Sequence, residues 1–496
     1  MALQIYHIDL NARNLRPEEI LRRLKAAASI GCNAILWEVE SKVRWDSCPE
    51  CAVADAMSKQ TFAGLLGEAR KLGLEPIPLF QTIGHAEYVL LQDKYKEFRE
   101  LPDHWDCYCT SSPAVRRFLA GWLAEYRELF GPVRYFHLGG DEAYVFHSCP
   151  ACAARPPLEL YCEHVLDIAA PLLADGVRPG VWSDMLFKYY DQSDTLPKDL
   201  VVWEWNYWDD RKNPVSVRLP FGGFRAPEDV PEQYRRELPE LFEDDGKIRA
   251  FGNVDYFLNR GSEVILCGAA QSASDGIFLP RQQLHGYNMI EAARMCRSRE
   301  LTGLCMTDWS IRMNAFDLLL PEMAAASMAY AGDSREPEAL MNESSARCQG
   351  DPDIWLEIER RAEDCDGVWR HFTAIQWSGF KDSLPPPPDW LEKKLAGDHP
   401  DVSEPELERL ARNCDRLADG RGTAAEAAGL QRDYLRLFKS ALYGGSDFKA
   451  DYDALMKRLV AFWSRTETAA SAECNADLAL RTLADYAERH PAGGNK

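Results

Sequence analysis

Two neighbouring carboxylates, Asp141 and Glu142, end the run 133–142, which reads Val-Arg-Tyr-Phe-His-Leu-Gly-Gly-Asp-Glu. An apolar stretch that meets charge only at its end is the pattern of a strand buried on both faces. Adjacent acids repel one another and lose hydration, so the pair is costly unless chemistry uses it. One carboxyl that yields a proton, beside a group that stabilises a positive sugar centre, supplies the parts of glycoside hydrolysis. Gly139 and Gly140 let the chain turn tightly and approach a ligand closely. The pair could also cap the next helix, where acids meet the positive end of the dipole. His137 and the two glycines are more than a cap requires.

The elements that must hold these acids are repeated βα units. Short apolar strands are expected at Leu3–Asp9, Asn33–Glu38, Glu75–Gln81, Val133–His137, Gly180–Asp184, Leu200–Trp205, Val264–Ala269 and Gly303–Trp309. Amphipathic stretches such as Pro17–Ala28, Gln60–Lys71, Ser112–Leu129 and Glu159–Leu173 alternate with them. Eight strands over this length predict an α/β protein of the (β/α)8 TIM-barrel class. A doubly wound sheet would carry a glycine-rich phosphate turn after its first strand, and none follows Asp9. Polar and aromatic side chains cluster at the strand ends: Glu38, Gln81 with His85, His137 to Glu142, Trp182 with Asp184, Trp203 to Asp209, and Asp308-Trp309. In a barrel those ends share one face. Beyond about residue 330 the composition turns to Ala, Leu, Glu and Arg at helical spacing. The expectation is a catalytic barrel over 1–332 and a helical C-terminal domain over 333–496. Within it, 336–349, 352–373, 404–417, 424–443 and 446–490 read as helices, and the proline run 385–388 reads as a stiff connector. Residues 492–496 read as a loose end.

The chain has 496 residues and a formal net charge of −21, from 57 basic and 78 acidic residues, which argues against a nucleic-acid or anionic-membrane partner. The N-terminus lacks the basic and apolar regions of a signal peptide and no stretch has the length and purity of a membrane span, so a cytoplasmic location is expected. Fifteen cysteines are many for a reducing compartment. Two Cys-Pro-x-Cys knuckles, Cys48/Cys51 and Cys149/Cys152, have the grammar of a structural zinc site stapling the loops after the second and fourth strands, with Cys107 and Cys109 between them. Reduced thiols that merely share the spacing are the alternative.

Trp182, Trp203, Trp205 and Trp309 are expected to line an open pocket in which a sugar ring lies flat against indoles. Here the residues match a family. The run His137-Leu138-Gly139-Gly140-Asp141-Glu142 resembles the His-x-Gly-Gly-Asp-Glu signature of glycoside hydrolase family 20, the β-N-acetylhexosaminidases. Residues 76–85 and 176–186 resemble the third- and fifth-strand segments of its hexosaminidase D-type branch, and the likeness covers about residues 1–330. It implies hydrolysis of a terminal GlcNAc or GalNAc in which the substrate's own acetamido oxygen attacks the anomeric carbon. Glu142 would be the general acid, with its carboxyl raised by an aromatic, desolvated setting and by Asp141, which would orient the acetamido nitrogen. His85 would lie near the sugar and His137 would support the acids.

Tyr207 and Asp209 have the spacing of a family pair that steadies the acetamido oxygen and binds ring hydroxyls, although they follow the sixth strand and the usual pair follows the seventh. Trp309 fits the eighth-strand tryptophan. The acid two places on is Ile311, which leaves Arg312 to reach instead, and Asp9, Asn11 and Arg13 stand where many relatives place an arginine. No cofactor is expected for catalysis. The expected partners are an N-acetylhexosamine-containing glycan and a second copy of the chain as a homodimer. A barrel specialised for a decorated sugar, or a catalytically silent sugar-binding protein, is the alternative. A metal-dependent hydrolase using the cysteines is disfavoured, because catalytic zinc keeps an open position among His or carboxylate ligands.

Overall fold

Apolar strands ending in polar residues close here into a cylinder. The computed structural model describes residues 2–192, 196–209, 214, 216–220, 223–272, 275–373, 386–397, 401–444 and 447–491. Its barrel strands are β1 (Leu3–Asp9), β2 (Ala34–Glu38), β3 (Glu75–Leu79), β4 (Tyr135–His137), β5 (Arg178–Trp182), β6 (Val201–Trp205), β7 (Glu263–Gln271) and β8 (Gly303–Asp308). Each pairs in parallel with its sequence neighbours, and β8 closes on β1. The barrel is the expected (β/α)8 fold, with strand ends shifted by at most two residues from the sequence reading.

Alternate residues of each strand face opposite ways. Ile5, Leu36, Leu79, Trp182, Trp203 and Ile265 fill the barrel interior. Tyr6, Ile8, Ile35 and Trp37 face the surrounding helices. Those helices start on recognisable caps: Ser58 accepts the Thr61 N–H, and Ser112 accepts that of Val115 ahead of Pro113.

The C-terminal residues form helices over Pro337–Gln349, Ile354–Asp364, Asp366–Phe372, Trp390–Leu395, Glu404–Ala418, Thr423–Tyr443, Phe448–Trp463 and Ala469–Arg489. Two stretches read as continuous are broken, at Cys365 and at 464–468. The second break has a clear cause. Thr468 caps the last helix through the Ser471 N–H, Glu467 bridges to Leu15, and the Arg13 Nε donates to Glu467 at 2.7 Å with both side chains buried. Trp369, Tyr434, Phe438 and Trp463 build a second core that takes in Phe278 after β7 and Met313 after β8. The helices therefore pack on the loops at the C-terminal ends of β1, β7 and β8. Of the proline run, residues 386–388 lie outside any helix ahead of Trp390–Leu395, while Pro385 and residues 492–496 lie outside the described residues. Among the described residues no helix is long and apolar enough to cross a membrane.

Candidate active site

β4 stops at His137, and the backbone leaves strand geometry at once. Gly139, Gly140 and Glu142 take φ values of +63°, +86° and +44°, so Asp141 and Glu142 escape strand alternation and serve one side. The glycines are sterically required as well. A Cβ on Gly139 would lie 1.9 Å from Gln81 Oε1, and one on Gly140 would lie 2.5 Å from Tyr161 Oη. A positive φ at Glu142 costs about 1–3 kcal/mol and persists only where the surroundings hold it. Asp184, at the start of the helix after β5, supplies that hold by accepting the Glu142 N–H at 2.8 Å. The Gly139 N–H donates to His137 Nδ1 at 2.9 Å, and burial keeps that imidazole well below its ordinary range, hence neutral. His137 packs on Trp182 and Trp203 with centroids 4.4 and 4.8 Å away.

His85 also has a positive φ (+50°), and its Nε2 stands 3.2 Å from Asp141 Oδ2 and 3.5 Å from Glu142 Oε2. Burial pulls its imidazolium down, but Asp141 and Glu142 outweigh burial and hold it well above the usual histidine range. The other oxygen of Asp141, Oδ1, is buried without a partner among the described residues. Burial pushes the Asp141 carboxyl up against the pull of His85, with Glu142 and Glu38 adding to the rise. Glu142 departs from its expectation. Burial favours its neutral form, but His85, Tyr144 and Arg218 together hold its carboxyl below the ordinary value. The acid expected to be raised rests as a carboxylate because a cation faces it.

The indole wall is smaller than expected. Trp182 and Trp203 are each 1% exposed and plug the barrel, so they form a floor rather than an open lining. Trp205 and Trp309 keep partial exposure. Tyr207 stacks on Trp205 at 5.4 Å, lies 6.3 Å from Trp309 and feels the charge of Asp141. These rings and the two acids all lie at or just after the C-terminal ends of barrel strands, β4, β6 and β8.

Sequence reasoning missed Arg218, which lies between β6 and β7 without a motif around it. It donates to both Glu204 oxygens at 2.6 and 2.7 Å and sits 4.4 Å over the Trp205 ring. It also missed Tyr144, 72% exposed beside Glu142. Asp184, expected at the sugar, anchors the acid turn and also accepts Trp205 Nε1 at 3.4 Å; burial, reinforced by Asp141, pushes its carboxyl up to about 7.

Other candidates are engaged in the fold. The Asp209 carboxylate accepts Asn206 Nδ2 at 2.7 Å and the Phe251 N–H at 3.0 Å, fastening the segment after β6. Arg312 is buried on the Asp275 carbonyl, and desolvation lowers its guanidinium to about 10. Arg13 is occupied by Glu467. Asp9 and Asn11 form a turn in which Asp9 accepts the Asn11 and Ser310 N–H groups, and burial with nearby Glu38 raises Asp9 to about 7.

The expected four-cysteine set is not assembled. Cys48 and Cys51 are bonded to each other, because their knuckle closes on itself within one turn. Cys149 and Cys152 lie instead with Cys109 and Glu100. A cleft of about 1710 Å³, lined by Arg249, Arg294 and Glu291 among others, includes none of the residues around Asp141 and Glu142. The C-terminal end of the strands is where barrel chemistry is built, so the cleft does not displace the site at Asp141 and Glu142.

No family model matches the chain. It is 27% identical to human hexosaminidase D over 196 residues, 37% of this chain and 40% of that protein. Bovine hexosaminidase D is 26% identical over 193 residues, 37% of this chain and 56% of that protein. The chain thus matches about half the length of these curated relatives or less. Among solved structures, the Bacteroides fragilis β-N-acetylhexosaminidase superposes with a TM-score of 0.50 at 16% identity, covering 72% of this chain and 71% of that one. Flavobacterium johnsoniae chitobiase gives 0.50 at 13% identity over 96% and 78%. At those identities the likeness is one of fold.

Proposed function

We propose, for a chain that is hexosaminidase D-like in sequence and shares its barrel with glycoside hydrolase family 20, that it is a retaining exo-β-N-acetylhexosaminidase acting on terminal GlcNAc or GalNAc. The observation that carries this reading is one imidazole, His85, spanning two adjacent carboxylates, Asp141 at 3.2 Å and Glu142 at 3.5 Å, with Asp141 Oδ1 left open. An open buried acceptor suits an acetamido N–H. Accepting it aims the amide oxygen at the anomeric carbon and offsets the positive charge of the resulting oxazolinium.

Bond cleavage needs a proton on the leaving oxygen, and Glu142 rests ionised. His85 holds the missing proton. When a sugar covers the pair and excludes water, transfer from His85 Nε2 to Glu142 replaces two opposite charges with two neutral groups. Glu142 then protonates the aglycone oxygen and later takes a proton from the water that opens the oxazolinium. Two displacements at one carbon retain configuration. In this reading Trp205 and Trp309 would offer apolar faces to the ring, and the Tyr207 hydroxyl, within the field of Asp141, would donate to the acetamido oxygen.

Glu142→Gln is expected to keep its fold and lose about 10²–10⁴ in turnover of a glycoside with a poor leaving group, and less with para-nitrophenol. Near-normal rates on the poor leaving group would remove Glu142 from the acid/base role. A second reading, a specialist for a decorated sugar, is favoured by one observation: Ile311 packs against the second core and Arg13 is occupied by Glu467, so neither serves an outer hydroxyl. Weak cleavage of simple chromogenic glycosides combined with tight binding of a thiazoline mimic of the oxazolinium would select it. A silent sugar-binding barrel would cleave nothing.

A further inference from the structure

Glu100, Cys109, Cys149 and Cys152 converge from two loops that are separate in sequence. Cys109 Sγ lies 3.7 Å from Cys149 Sγ and 3.8 Å from Cys152 Sγ, and Glu100 Oε2 lies 3.2 Å from Cys152 Sγ. All four donor atoms fall within 4.8 Å of one another. With bonds of about 2.3 Å to sulfur and about 2.0 Å to a carboxylate oxygen, a zinc tetrahedron has edges of about 3.8 Å between sulfurs and about 3.5 Å from sulfur to oxygen. The observed spacing is that of ligands around an ion.

The surroundings are those of a ligand set too. Glu100 is 2% exposed, and its Oε1 accepts the Ser148 and Cys149 N–H groups at 2.8 Å each, which aims Oε2 at the sulfurs. Among the described residues no basic side chain pairs with it, so a buried carboxylate faces three thiols without a cation of the protein's own. The Cys152 N–H points at Cys149 Sγ (3.4 Å), and Ser111 Oγ and Thr110 Oγ1 stand 3.2 and 3.6 Å from Cys152 Sγ, where they support a thiolate.

We propose that Glu100, Cys109, Cys149 and Cys152 bind one Zn(II) as a closed tetrahedral site that bolts the loop bearing His85 to the loop bearing Asp141 and Glu142. Thiolates select zinc over magnesium or calcium, and a closed set gives the ion a structural role. Binding releases the three thiol protons. The position gives the ion its consequence. Backbone bonds from Tyr108 to Ile83 and from Ala86 to Asp106 bracket His85 on the loop that carries Glu100 and Cys109. Cys149 and Cys152 lie on the loop that begins at Glu142. The zinc therefore fixes the separation between imidazole and carboxylates, as a positioning element rather than a participant in bond cleavage.

Metal analysis of the full chain, grown with zinc and purified without chelator, is expected to find about one zinc per chain. Cys109→Ser/Cys152→Ser should retain at least about tenfold less, while Cys48→Ser/Cys51→Ser should keep the full amount. Exchange with Co(II) should give thiolate-to-cobalt charge-transfer absorption and tetrahedral ligand-field bands. That spectrum is recorded on wild-type protein and so decides the matter even where the serine variants fail to fold. A folded wild-type chain without metal, zinc retained in the double variant, octahedral cobalt bands, or a disulfide among these cysteines in an unreduced digest would each overturn the assignment. None of these readouts depends on glycoside turnover, so the zinc site and the hydrolase reading fail separately.

Discussion

At the scale of single residues, the site is a contest over one proton. Burial disfavours the His85 imidazolium, yet Asp141 and Glu142 hold it well above the usual histidine range. A group raised on folding contributes stability that is complete below its unfolded value and is lost as pH rises through its folded value. His85→Gln is therefore expected to lower Tm at neutral pH and to flatten the alkaline decline seen in the wild type. Thermal melts across pH check this, and an alkaline decline unchanged by the substitution would contradict it. The same variant strips Glu142 of its proton donor, so the alkaline limb of its kcat profile should move to lower pH. The acid pair itself was legible in the sequence, because two like charges placed straight after a buried apolar run rarely serve packing alone. The ionisation of Glu142 was not, because it depends on a histidine 57 positions away in the chain that comes within 3.5 Å only in the fold.

At the scale of elements, the acid turn works because three neighbours shape it. Gln81 and Tyr161 press on Gly139 and Gly140, and Asp184 holds the Glu142 N–H. Gly139→Ala adds a Cβ 1.9 Å from Gln81 Oε1 at a φ of +63°, and is expected to cost about 1–3 kcal/mol in urea unfolding with a larger proportional loss of activity. Asp184→Ala should leave the fold and cut kcat by about tenfold or more, since a buried N–H loses its acceptor and Glu142 loses its fixed position. Full activity in Asp184→Ala would mean the anchor is dispensable. Strands were readable as apolar runs, because burial on both faces leaves no room for polar interruption. The break at 464–468 was not readable, because Ala, Leu and Arg continue at helical spacing on both sides while the cause, Arg13 and Leu15, lies on the β1 loop. The cysteine grouping failed similarly: two matching knuckles suggested one site, whereas the third sulfur comes from Cys109 and the oxygen from Glu100.

For the whole molecule, the helical C-terminal region is part of the site's frame. Its core takes in Phe278 and Met313, and its Glu467 holds Arg13, so it braces the β1, β7 and β8 ends of the catalytic face. This bracing engages both side chains: Ile311 packs against the second core and Arg13 is held by Glu467. Removing one partner of a buried ion pair leaves the other charge stranded, so Arg13→Ala is expected to lose about 3–5 kcal/mol of stability, measured by denaturant unfolding. A loss below about 1 kcal/mol would mean the docking does not depend on that pair. The whole frame serves one proposed nucleophile, the substrate's own acetamido group held by Asp141. The most direct test compares wild-type turnover of para-nitrophenyl β-N-acetylglucosaminide with that of the β-glucoside carrying a hydroxyl in place of the acetamido group. Release of the β-anomer of GlcNAc from the first and essentially no turnover of the second is expected; comparable rates on both would contradict an acetamido nucleophile.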